Sequence, residues 1–261
     1  MTESELILYK DFAVDLSLKA GELLMDNFEK MHRLEWKLRT NFKTEVDDLS
    51  DNLIREAIIK RFPSHNILSE ENIDRDMGSK LNWVVDPLDG TLLYTSGIND
   101  HFSVCLSLAE GLNPVLGVIY APKRNDLYVA FAKGGASKNN EPIQVAQNID
   151  LNRTLMGIDF GKLNRTGDIK YLERLLSPDG ITCNFSSGCA SVPLALTAEG
   201  KMHAYMATSL EPWDMAAAVV IIREAGGIVT NLRNEQWTIS DESILASNPI
   251  LHNNLVQFLG I

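Results

Sequence analysis

The chain has 261 residues, 45% of them hydrophobic, and a formal net charge of −11. That length and apolar content suffice for a sizeable core in one catalytic unit, read as approximate halves 1–148 and 149–261 with no separate linker. An acidic chain with no basic stripe interleaved with aromatics argues against nucleic acid as a partner, and the lack of a run of about 18 apolar residues or a basic-then-apolar leader argues against a membrane, so the expected location is the cytoplasm.

Residues 4–29 place Leu6, Phe12, Leu16, Ala20, Leu23, Leu24 and Phe28 at helical spacing, which predicts a long amphipathic helix with a structural role. Residues 47–61 predict a second helix, with Leu49, Leu53, Ile54, Ala57 and Ile58 on its buried side and Asp47 or Asp48 near its N-terminus; Arg61-Phe62-Pro63-Ser64 ends it. Ile67-Leu68 reads as a short strand delivering Glu70, and 82–85 as a strand delivering Asp86. Three apolar or β-branched runs, 102–108, 115–120 and 127–132, are separated by turn-forming residues and predict an antiparallel meander. Beyond them strand and helix alternate: strands at 154–158, 181–185 and 204–206, helices at 169–176, 190–198 and 213–225. Alternation of this kind predicts α/β layering, and 219–222, apolar all round, is expected between two layers. Cys105, Cys183 and Cys189, odd in number and in apolar or small-residue surroundings, fit reduced thiols better than a disulfide framework. The five histidines, His32, His65, His101, His203 and His252, fall into no metal-ligand spacing and read as surface or capping residues, while Tyr205 and Trp237 read as packing residues.

The most informative stretch is Asp86-Pro87-Leu88-Asp89-Gly90-Thr91, where an apolar strand is expected to break into a turn. Two buried acids there must share a proton or hold a cation, and the composition of the stretch favours a cation. An aspartyl-phosphate chemistry would place its acids two residues apart, and here they are three apart. Proline removes a backbone donor and glycine adopts angles that other residues avoid, so Asp86, the Leu88 carbonyl and Asp89 form an all-oxygen set suited to Mg²⁺. No phosphate-cradling glycine string with its lysine is present, so a phosphate ligand in so acidic a protein requires bound cations to reverse the local sign. Asp214, on the first turn of a predicted helix after Pro212, suits the helix dipole as well as a functional role, and the residues alone leave both readings open. Glu70 and Glu71 are similarly open between a solvated loop and a ligand.

The string Trp83 to Thr91 resembles the signature of the inositol monophosphatase family of Mg²⁺-dependent, lithium-sensitive phosphatases. Leu68-Ser69-Glu70-Glu71-Asn72 is similar to that family's Gly-Glu-Glu block, and Pro212-Trp213-Asp214-Met215-Ala216-Ala217 with Glu224-Ala225-Gly226-Gly227 to its C-terminal block. The resemblance implies a layered αβαβα sandwich of the sugar-phosphatase type, α/β (α+β) in class, with the meander in the first half and a mixed sheet in the second. It implies that Glu70, Asp86 and the Leu88 carbonyl hold a first Mg²⁺, and Asp86, Asp89 and Asp214 a second, with a weaker third ion near Glu70. Mn²⁺ would substitute and Li⁺ inhibit. Thr91 and Asp47 would take and pass the proton of the attacking water, with Glu70 beside them, and the backbone N–H groups of Gly90 and Thr91 would hold phosphate oxygens. The implied reaction is hydrolysis of a small phosphate monoester by a cytoplasmic homodimer, inositol 1-phosphate or a similar polyol phosphate standing first.

Several residues depart from the family pattern. Leu93 and Ala207 stand where Asn and a ring-binding Glu are common, Ser69 replaces Gly, and Phe185 replaces Arg. Gly188 and Ala190 keep the small-residue stretch that lets a substrate ring approach the backbone, and Glu211 is a candidate substitute for the missing Glu. These departures leave histidinol phosphate, fructose 1,6-bisphosphate, the 2′-phosphate of NADP and 3′-phosphoadenosine 5′-phosphate open as alternatives. A non-catalytic binding or regulatory protein on the same fold is the remaining reading.

Overall fold

The computed structural model describes residues 1–30, 32–38, 41–98, 100–147, 150–160 and 168–261, so the expected boundary at 148/149 lies outside the described residues. In chain order the elements are α1 (Glu3–Asn27), a hairpin of β1 (Leu34–Leu38) and β2 (Asn41–Thr44), α2 (Glu45–Arg61), β3 (Asn66–Ser69), β4 (Leu81–Asp89) and α3 (Thr91–Ser96). A meander follows: β5 (Ser103–Glu110), β6 (Asn113–Ala121), β7 (Asp126–Phe131), β8 (Ala136–Lys138) and β9 (Glu141–Pro142). The second half holds β10 (Leu155–Asp159), α4 (Ile169–Leu175), β11 (Cys183–Phe185), α5 (Ser191–Ala198), β12 (Ala204–Ala207), α6 (Pro212–Glu224), β13 (Ile228–Thr230), β14 (Ile244–Ser247) and α7 (Pro249–Leu259).

Strands β3 to β9 form one sheet in sequence order, antiparallel except for β3 and β4. The second sheet runs β11-β10-β12-β14-β13, with β10 parallel to both its neighbours and the rest antiparallel. Three apolar cores glue these into five layers. Helices α1 and α2 cover one face of the first sheet around Trp83, Tyr9 and Phe62. Helices α5 and α6 fill the space between the sheets, and α4 and α7 cover the far face of the second. The order is therefore α–β–α–β–α, as the sequence resemblance implies. The run Met215 to Ile222 in α6 is buried on every side, because it has a sheet on both flanks. Close approach is bought by glycine at one point: a Cβ on Gly117 of β6 would meet the Ala217 carbonyl oxygen of α6 at 2.1 Å.

Two local expectations need correction. On α2, Leu49 is 49% exposed, and the buried stripe reads Val46, Asp47, Ser50, Asp51, Ile54 and Ile58. Counting apolar residues assigned the wrong face to the first turns, because the polar part of the stripe points at other polar groups. The acid motif does not break β4 into a turn either. The strand stays in its ladder to Asp89, with Asp86 opposite Cys105 and Asp89 opposite Ser103 on β5. Three steps on β4 thus match two on β5, a bulge with one extra residue. Residues three apart on a regular strand face opposite sides; the bulge restores parity and puts both carboxylates on the same face. Pro87 tolerates the irregular position because it has no N–H to leave unpaired, and its carbonyl accepts from Ser50 Oγ at 2.9 Å.

His65 and His252 are buried, contrary to the surface reading, the first beside Trp83 Nε1 at 3.2 Å and the second beside Thr230 Oγ1 at 3.0 Å. All three cysteines are free, but Cys183 is exposed rather than enclosed. Tyr205 and Trp237 are fully enclosed packing residues, as expected. No helix among the described residues is long and apolar enough to cross a membrane.

Candidate active site

Four candidate acids come from three separate places in the chain. Glu70 follows β3, Asp86 and Asp89 lie on the bulged end of β4, and Asp214 sits in the first turn of α6. Glu70, Asp86 and Asp214 each bring an oxygen within 4.8 Å of the others; Asp89, expected to join Asp86 and Asp214, is not part of that group. Asp86 is wholly buried; its Oδ1 accepts from the Leu88 N–H at 3.0 Å, and its Oδ2 has no hydrogen-bond partner among the described residues. Burial pushes the Asp86 carboxyl well above the usual carboxylate range, and the charges of Glu70, Asp89 and Asp214 push it in the same direction. A sealed, unpartnered carboxylate oxygen among like charges is costly unless a cation joins it, and the donor set, all oxygen and mostly anionic, suits a hard divalent ion.

Each acid is aimed by its surroundings. Asp214 Oδ2 accepts the Glu211 N–H at 2.9 Å, which ties it to the start of α6. Asp89 Oδ2 accepts from the Ser191 backbone N–H at 2.7 Å, from Cys189 Sγ at 3.0 Å and from Ser191 Oγ. Burial pushes the Cys189 and Cys105 thiols up, so both keep their protons. Gly90 follows with φ +87°, and a Cβ there would meet the His101 carbonyl oxygen at 2.6 Å, so this position is limited to glycine both by backbone angle and by space.

Just beyond Gly90, Thr91 Oγ1 lies 3.0 Å from Asp47 Oδ1 and 3.1 Å from the Leu88 carbonyl. Asp47 is buried in the first turn of α2, where its Oδ2 accepts from Thr44 N at 2.8 Å and Thr44 Oγ1 at 2.5 Å. Burial raises its carboxyl, and the Thr44 and Thr91 hydrogen bonds oppose that. Of the remaining expected residues, Gly188 is in an exposed turn with φ +78° and Ala190 is buried where α5 begins. Glu211 stands exposed at the start of α6.

Three contributors escape a reading of the sequence. Asp51, fully buried on α2, accepts from Ser69 Oγ and Asn72 Nδ2 and so holds the loop that carries Glu70. The Ser69 that departs from the family pattern thereby supplies an anchor. Lys37, on the β1–β2 hairpin, lies 2.6 Å from Glu71 and 3.7 Å from Glu70, bringing a positive charge to the edge of the cluster. Burial and the Glu70 charge push the Glu71 carboxyl up to about 7, against the pull of Lys37. Ser191 is the third. Nothing in the sequence marks any of them, because each acts across 18 or more residues of chain or beside a motif already assigned. Two departures have plain structural outcomes: Leu93 packs with Ala121, Cys189 and Val192, and the Phe185 ring lies 5.5 Å from that of His101.

The inositol monophosphatase family model matches residues 8–259, nearly the whole chain. The chain belongs to the inositol monophosphatase family. A relative from Aquifex aeolicus, named as a fructose-1,6-bisphosphatase/inositol-1-monophosphatase, is 34% identical, the alignment covering 95% of this chain and 94% of that one. A Neisseria meningitidis protein named as a putative Nus factor SuhB is 35% identical, covering 93% of each. Among solved structures, the Thermotoga maritima IMPase superposes with a TM-score of 0.86 at 29% identity, covering 96% of each chain. A family member with this fold is a phosphatase, a phosphoric monoester hydrolase.

Proposed function

We propose that this phosphatase is Mg²⁺-dependent and hydrolyses a small polyol phosphate, with inositol 1-phosphate first among its candidates. The observation that carries the reading is the unpartnered, buried Asp86 Oδ2 beside oxygens of Glu70 and Asp214. Glu70, Asp86, the Leu88 carbonyl, Asp89 and Asp214 would hold two or three ions per site, with Mn²⁺ as a substitute and Li⁺ as an inhibitor. When bound, Mg²⁺ neutralises the phosphate and acidifies the attacking water. The remaining work falls to the chain. Thr91 donates its hydroxyl hydrogen toward Asp47 Oδ1, leaving an Oγ1 lone pair to accept a proton from water while Asp47, its other oxygen fixed by Thr44, receives the one Thr91 gives up. The N–H groups of Gly90 and Thr91 hold phosphate oxygens, and Gly188, Ala190 and Glu211 border the polyol. The same reading includes a cytoplasmic homodimer and the whole chain as one catalytic unit.

The name of the Aquifex relative supports a sugar bisphosphate as the second candidate. Purified protein assayed against inositol 1-phosphate, fructose 1,6-bisphosphate, histidinol phosphate, NADP and 3′-phosphoadenosine 5′-phosphate, with and without Mg²⁺, decides among them. Turnover of a polyol phosphate only with Mg²⁺ supports the proposal; turnover of none of the panel favours a binding protein on this fold.

A further inference from the structure

Behind Asp89, a row of small polar side chains crosses from one half of the molecule to the other. Ser103 and Cys105 share a face of β5, opposite Asp89 and Asp86 respectively, and Ser191 opens α5. Ser103 Oγ lies 2.7 Å from Ser191 Oγ and 3.3 Å from Cys105 Sγ, and Ser191 Oγ reaches Asp89 Oδ2. Ser103, Cys105 and Ser191 are at most 1% exposed, so water does not compete for these bonds.

Counting hydrogens fixes the direction of the row. A carboxylate that ligates a cation only accepts, so on the cation reading the single hydroxyl hydrogen of Ser191 goes to Asp89 Oδ2. Ser191 must then accept from Ser103, and Ser103, its own hydrogen used, must accept from the Cys105 thiol. The chain runs one way, Cys105 to Ser103 to Ser191 to Asp89, and ends on the carboxylate, an arrangement in which each bond polarises the next. Together with the Ser191 backbone N–H and Cys189 Sγ, it gives Asp89 Oδ2 three donors. An oxygen with three donors has no lone pair for a cation, so Oδ1 is the one oxygen of Asp89 left open to a ligand.

We infer that Ser191 is a positioning residue, which locks Asp89 through Oδ2, commits Oδ1 to the divalent cation, and thereby couples the start of α5 to the acids of β4. This rests on the cation reading proposed above and adds to it a residue outside the ligand set. Partners behind a ligating group commonly set metal affinity by about 10- to 100-fold.

The test is a Mn²⁺ titration without substrate, read by the electron paramagnetic resonance of the free ion, on wild type, Asp86→Asn, Ser191→Ala, Ser191→Thr and Ser103→Ala, each checked for folding by thermal melting. Asp86→Asn is expected to lose tight binding. Ser191→Ala is expected to weaken it about 10- to 100-fold, while Ser191→Thr, which keeps the hydroxyl, stays within about 3-fold of wild type. Ser103→Ala, which removes only the donor behind Ser191, is expected to weaken it about 3- to 10-fold, and it carries the test if Ser191→Ala does not fold. Binding lost in Asp86→Asn but unchanged in Ser191→Ala or, failing that, in Ser103→Ala overturns the positioning role alone. Wild-type binding by Asp86→Asn overturns the cation reading itself, and the positioning role with it.

Discussion

The first turns of α2 and α6 are built alike and used differently. Each carries an aspartate at its third position, Asp47 and Asp214, and each aspartate uses Oδ2 to accept the backbone N–H three residues earlier, from Thr44 and Glu211. In α2 the other oxygen meets a hydroxyl, that of Thr91. In α6 the aspartate instead joins Glu70 and Asp86. The capping bond fixes the carboxylate in both; what faces the second oxygen decides whether the residue bonds a hydroxyl or contributes to a charge cluster.

Substitution by Asn separates the two. Asp214→Asn keeps an acceptor for Glu211 N–H but places a neutral amide among the acids, so activity on the best phosphate monoester should fall about a thousandfold or more while the melting temperature hardly changes. Wild-type turnover in this variant would put Asp214 back among ordinary helix caps. Asp47→Asn has one oxygen for two tasks, the cap and Thr91, so it should lose both some activity, about 10²- to 10³-fold, and some stability. A loss of stability with full activity would break the assignment of Asp47 to the proton path.

The pH dependence sharpens the same contrast. Asp86 and Glu71 have folded values raised above those of the unfolded chain, so between the two values the folded protein holds more protons and stability declines as pH rises. For Glu71 the window runs from 4.5 to about 7. Burial lowers the values of His65, His101, His203 and His252, which adds stability as pH rises, so the Glu71 contribution is read as a difference: from pH 5 to 7 metal-free wild type should lose melting temperature relative to Glu71→Gln, and Mg²⁺ should raise it at the upper end by neutralising the Asp86 cluster. A wild type that keeps pace with Glu71→Gln, or gains on it, from pH 5 to 7 in scanning calorimetry would contradict this electrostatic picture. The smallest effect belongs to the cap alone: Thr44→Ala, which removes the hydroxyl bonded to Asp47 and to Val46 N, should cost about 1 kcal/mol in chemical denaturation.

The helices, the meander and the α/β layering were legible because the elements keep their periods and alternate, whereas the five-layer order and the candidate acids were legible through the resemblance, whose three motifs stand in one order. The parts that were not legible share a cause. The bulge in β4 depends on its pairing with β5, which no local pattern states, and so the sharing of a face by Asp86 and Asp89 could not be read from their spacing. The stripe of α2 was misplaced because Asp47, Ser50 and Asp51 are buried against polar partners rather than apolar ones. The β1–β2 hairpin with Lys37, the short α3, and the β13, β14 and α7 segment drew no expectation, although Asn248 caps α7 through the N–H groups of Ile250 and Leu251 and Pro249 opens it.

The central claim is that a divalent cation sits among Glu70, Asp86 and Asp214. Crystals soaked in Mn²⁺ and measured at the manganese absorption edge test it directly. The account predicts anomalous density between those three residues, at ligand distances of about 2.0–2.4 Å and in contact with Asp86 Oδ2. Crystals saturated with Mn²⁺ that show no density there would contradict it.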